Sequence, residues 1–165
     1  MKSPINTIIR QATKPSNEKY NVLTVATHEG YQSSMDKTNA EYYFYFTKGL
    51  KRWRQDYRPL PANCHILPDN YIPNYIDFDV CLSQSRFGQH QALKPIADKL
   101  HIPYMTIEHT DRLDFWSESQ MSALKNMRGH TNYFITEYSR NRWGWSENEA
   151  GLIPHRVDTE LFKPD

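Results

Sequence analysis

Imidazoles, carboxylates and hydroxyls gather where apolar runs give way to polar residues. His28 and Glu29 follow the run YNVLTVAT, with Gly30 next. Ser83, Gln84 and Ser85 follow FDVCL, Glu108, His109 and Thr110 follow PYMTI, and Glu137, Tyr138 and Ser139 close NYFIT. An imidazole near neutral pH donates, accepts or moves a proton, while carboxylates and hydroxyls beside it orient a hydroxylated or phosphorylated ligand. One polar strand end is ordinary, because strands end in water and loops. Four such ends on one sheet edge, with two histidines among them, predict a polar crevice.

Several chemistries lack their residues. The turn Gly30, Tyr31, Gln32, Ser33, Ser34 offers backbone N–H groups to a phosphate, yet it holds one glycine where a dinucleotide fingerprint needs three, and no Gly-Lys-Ser loop occurs. Neither a nicotinamide cofactor nor ATP is expected. HEG and EHT are adjacent pairs and lack the i, i+4 spacing that sets two ligands on one helix face, so no metal site is expected. The Gly-x-Ser-x-Gly elbow of a serine hydrolase is absent. The other histidines, His65, His90, His101, His130 and His155, read as structural or surface residues. Lys48, Lys51, Arg52, Arg54 and Arg58 surround Trp53 and Tyr57. Cations beside aromatics can stack bases, but cations also favour a helix C-terminus and a solvated face, so nucleic acid is not expected as a partner.

The chain of 165 residues is close to one ordinary domain of about 150. Twenty basic against nineteen acidic residues leave +1, so no global field recruits polyanions or membranes, and 13% aromatic content argues for a folded core. No apolar stretch is long enough for a membrane span and the start lacks a signal-like run, which makes the cytoplasm the expected compartment. Cys64 and Cys81 sit in apolar runs and read as buried free thiols.

Strands are expected at residues 20–28, 64–67, 78–84, 103–109, 132–138 and 151–154. Helical spacing of Tyr43, Phe46, Leu50 and Trp53 predicts a long helix after the first strand, ending before Pro59 and Pro61. Leu93, Ile96, Ala97 and Leu100 predict another, kinked at or starting from Pro95. Ser117 and Gln120 form a capping-box pattern ahead of Met121, Leu124 and Met127, with Gly129 as a C-terminal cap. Ser3, Pro4, Ile5, Ile8, Ile9 and Ala12 fit a short N-terminal helix or arm within residues 1–20. The fold class is thus α/β: an open, mostly parallel sheet of about six strands with helices on both faces. Its ligands are expected beyond the carboxyl ends of the strands.

AGLIPHRVDTELFKPD resembles the segment at which group-one glycosyltransferases of the GT-B fold pass from the N-terminal Rossmann-like domain into the interdomain linker. THEGYQSSMDKTNAEYYFY, SQSRFGQHQALKPIADKLHIPYMTIEHT and FITEYSRNRWGWSENEA resemble, in order, earlier blocks of one branch of that family. The resemblance implies an acceptor-side domain over 21–155 and the start of a linker over 156–165. It implies that His109 contacts the donor sugar, with His28, Glu29, Gly30, Ser83, Ser85, Glu108, Thr110, Glu137 and Ser139 around the substrates. It further implies a retaining, metal-independent transfer from a nucleotide sugar to an acceptor, with no cofactor. The donor-binding domain, the partner that would hold the diphosphate, lies outside these residues, and Trp143, Trp145 and Phe162 are candidates for meeting it. Where the family has glycine before its Val-Asp pair, this chain has Arg156. The other reading of the same residues is a non-catalytic α/β module that binds a ligand or partner. A receiver-like or flavodoxin-like domain is disfavoured, since the first strand lacks paired acids and a flavin phosphate loop follows nowhere.

Overall fold

The computed structural model describes residues 4–155. Its centre is one open sheet of seven strands, all parallel, in the order β3-β2-β1-β4-β5-β6-β7. The strands are β1 (Tyr20–Thr24), β2 (Ala40–Phe44), β3 (Cys64–Ile66), β4 (Val80–Ser83), β5 (Tyr104–Glu108), β6 (Thr131–Phe134) and β7 (Gly151–Leu152). The helices are α1 (Pro4–Thr13), α2 (Glu29–Gln32), α3 (Gln89–Leu100), α4 (Glu118–Asn126) and α5 (Glu137–Arg142), and a 3-10 turn at Ser33–Lys37 continues α2.

Parallel strands need crossovers over a face, and those are right-handed, so reversing the direction of strand addition after β3 moves the connections to the opposite face. Alternate side chains along β1 and just past its end follow that division. Leu23 and Val25 pack with Cys81 of β4 and with Leu93 and Ala97 of α3. Val22 packs with Met35, Tyr42, Phe44 and Trp53. A third cluster of Met121, Phe134, Trp143, Trp145 and Ala150 closes the β6 side.

The expected long helix through Tyr43 and Trp53 is corrected: the first part is β2, which makes the sheet seven-stranded. Ala40, Tyr42 and Phe44 alternate inward, the period of a strand. Gly49 has φ 95°, which no right-handed helix holds, and the chain beyond it turns until a single bridge pairs Lys51 with Ala26. Pro95 does not start α3 either, because the helix runs from Gln89 through it, after Gly88 at φ 73°. The Ser117 capping box forms as the sequence suggests. Gly129 caps no helix: an added Cβ would lie 2.5 Å from the Tyr104 carbonyl oxygen, so glycine serves close approach to β5. Cys64 and Cys81 are buried free thiols, and burial, with Glu41 and Asp36 near, pushes the Cys64 thiol up to about 12. Among the described residues no helix is long and apolar enough to cross a membrane. The linker segment 156–165, with Arg156 and Phe162, and the possible cap Ser3 lie outside the described residues.

Candidate functional site

Strand order reverses between β1 and β4, and at such a switch point neighbouring connections leave in opposite directions and open a crevice at the C-terminal edge. The turns after β1, β4 and β5 meet there.

The turn after β1 is built on the fully buried Gln32, whose Oε1 accepts the N–H groups of Thr27 (2.7 Å) and His28 (3.1 Å) while Nε2 donates to the Val25 carbonyl (2.9 Å). Those two backbone donors are therefore already engaged. The His28 ring caps α2, its Nδ1 accepting the Tyr31 N–H at 3.4 Å, and a Cβ on Gly30 would stand 3.2 Å from that ring. Glu29 is buried. Its carboxylate binds Lys51 Nζ at 2.5 Å and the Arg54 N–H at 3.2 Å, so that burial, which alone would raise its pKa, is overridden and the carboxyl sits below its ordinary range.

After β4, Ser83 is fully buried and donates to the Ser85 carbonyl (2.6 Å), while Ser85 Oγ accepts the Phe87 N–H (3.2 Å). Gln89 ties this turn to the first, accepting from the Gln84 N–H (2.9 Å) and donating to Thr27 Oγ1 (2.9 Å). After β6, Thr136 caps α5 through the Ser139 N–H; Ser139 is buried, and Glu137 is exposed beside Arg140 at 3.7 Å. Glu29 and Ser83 spend their side chains on partners within the chain, whereas the buried Ser139 Oγ has no hydrogen-bond partner among the described residues.

His109, at the end of β5, is the centre of what the fold does bring together. Its Nδ1 lies 2.8 Å from Nε2 of His155, just past β7, and the Tyr31 ring packs on both, edge-on to His109 at 4.7 Å and stacked on His155 at 4.5 Å. Burial first, then the nearby His155 and His28, lowers the His109 pKa to about 4, and burial and His28 lower that of His155. Both rings are neutral at pH 7, so one donates and the other accepts across the 2.8 Å contact. The His109 Nε2 is buried and has no hydrogen-bond partner among the described residues.

The residues on either side of His109 are tied down. Glu108 is fully buried against Arg86 (2.7 Å), and its other oxygen accepts the Thr110 N–H (3.0 Å). The Thr110 carbonyl accepts Trp143 Nε1 at 2.9 Å. Trp143 and Trp145, expected at a docking surface, are instead 1% and 2% exposed in the third core cluster. Sequence reading left out Tyr31, Gln32, Arg86, Gln89 and His155. Only His155 carried a signal, as a histidine directly after an apolar run.

Two cavities of about 160 and 90 Å³ lie elsewhere, one between α1 and the chain approaching β4, the other beside Phe44 and Trp53. Among the described residues no group of three or more His, Cys, Asp or Glu is arranged to hold a metal ion. No family model, no curated protein and no solved structure matches the chain.

Proposed function

We propose that this chain is the acceptor-side half of a GT-B sugar transferase, moving a sugar from a nucleotide donor to an acceptor with retention and without metal. The observation that carries the reading is His109: a neutral imidazole at the C-terminal edge beside the switch point, its Nε2 buried and unpartnered among the described residues. A buried polar atom without a partner is costly, and a ligand oxygen would supply the missing bond. Neutrality suits a hydrogen bond to a sugar hydroxyl or to a departing phosphate oxygen, where a placed donor is worth most as negative charge develops. Among the described residues, Lys51, Arg86 and Arg142 are paired with Glu29, Glu108 and Asp114. In this reading the diphosphate is held by a second domain, which also covers His109.

Calorimetry with a panel of nucleotide sugars, run beside a donor-hydrolysis assay, tests it. This chain alone is expected to bind at millimolar level or more weakly, without turnover. In a two-domain form, His109→Ala is expected to lower kcat by about tenfold or more. An unchanged rate removes His109 from the chemistry, and micromolar binding with turnover by this chain alone overturns the half-site reading.

A further inference from the structure

Arg86 is 1% exposed, in the turn after β4, and reaches across to the end of β5. Its guanidinium carbon lies 5.4, 5.2 and 5.0 Å from the ring centroids of Phe134, Trp143 and Trp145, and Nη1 donates to Glu108. Arg86 Nε and Nη2 have no hydrogen-bond partner among the described residues, so the aromatic rings are what they face. An ion pair buried this deeply adds little to stability, because desolvating two charges cancels most of their attraction. What it fixes is geometry. Through Glu108 it holds the Thr110 N–H, and Trp143, stacked on the same guanidinium, holds the Thr110 carbonyl. His109 is the residue between these anchors.

We propose that Arg86 is a positioning residue: through its buried pair with Glu108 it fixes residues 108–110, and so aims the His109 imidazole at His155 and Tyr31. Glu108, which the sequence suggested as a substrate contact, becomes the link in this frame. The placement of His109 stands on the geometry alone, and only its consequence for sugar transfer rests on the function proposed above.

Nuclear magnetic resonance of the histidine rings tests the placement without any ligand, so failure of nucleotide-sugar binding does not touch the result. In the wild-type chain His109 should not titrate between about pH 8 and about pH 5, and its ring should show a cross-peak to Tyr31, whose ring lies 4.7 Å away. In Arg86→Met the Tyr31 cross-peak is expected to be lost, and the His109 midpoint to rise by about one pH unit or more toward its ordinary value. That variant leaves Glu108 as a lone buried carboxylate. The companion Arg86→Met/Glu108→Leu removes the lone charge and keeps the fold by near-ultraviolet dichroism, yet still frees residues 108–110. Its His109 is expected to behave as in Arg86→Met. A folded double variant that keeps both the wild-type midpoint and the Tyr31 cross-peak overturns the proposal.

Discussion

His109 couples the site to folding through its proton. Well above pH 6.5 its ring is neutral in both folded and unfolded chains and contributes nothing to pH dependence. Between 6.5 and about 4 the unfolded chain takes up a proton that the folded one refuses, so stability falls as pH drops through that window. His155 acts in the same direction. Glu29, held below its ordinary 4.5, adds its loss only at lower pH. Urea midpoints at about pH 7.5 and about pH 5 should therefore differ, and His109→Gln should shrink the difference; an unchanged difference in the variant would assign the loss to other groups. At the residue scale the sequence showed which side chains end strands, and not which partners they meet in the fold. His109 was legible because it ends an apolar run. Glu29 and Glu108 were equally legible as strand-end residues, but their pairs with Lys51 and Arg86 were not, since those partners stand 22 residues away.

At the scale of elements, six of the seven strands were legible as apolar runs, since a strand covered on both faces shows continuous hydrophobicity. β2 was not. Its Tyr43 and the following Phe46, Leu50 and Trp53 fall at helical intervals by coincidence, and the strand's own period of two spans only five residues. Gly129 was legible as a special position but not for its reason. The nearest atoms to its added Cβ are backbone oxygens, of Tyr104 at 2.5 Å and Thr131 at 2.8 Å, which cannot swing aside as a side chain would. Gly129→Ala is expected to cost about 1–3 kcal/mol, as overpacking does, and to lower the melting temperature. A wild-type melting temperature would mean that the α4–β6 turn moves freely away from β5.

The whole molecule carries one helix turned inside out. α1 has the amphipathic pattern that the sequence suggests, yet Ile5, Ile8 and Ile9 are 65%, 65% and 55% exposed, and Thr7, Arg10 and Gln11 face the body. Polar anchors decide its orientation. Arg10 donates to the carbonyls of Asp77 and Phe78, Gln11 to that of Asp79, and Arg10 and Lys14 pair with the Asp79 carboxylate, which also accepts the Asn21 N–H. Hydrophobic periodicity locates a helix and its stripe, and cannot say which side a buried carboxylate elsewhere will pull inward. Asp79→Ala removes the carboxylate that Arg10 and Lys14 share and leaves Lys14 paired with Glu18 alone, at 2.9 Å. The expected loss is about 2–3 kcal/mol, with faster trypsin cleavage after Arg10. Unchanged melting and proteolysis would show that α1 is held by something other than Asp79.

The joint between β1 and β4 has a kinetic meaning as well. Thr24 and Leu82 meet there across 58 residues of chain, so forming the joint carries the largest loop-closure entropy in the centre of the sheet. β1 to β3 can assemble on one side of it and β4 to β7 on the other. Tyr31 belongs to the first group, and His109 and His155 to the second. The His109–His155 contact lies within the second group, and Tyr31 reaches it only across the joint between β1 and β4.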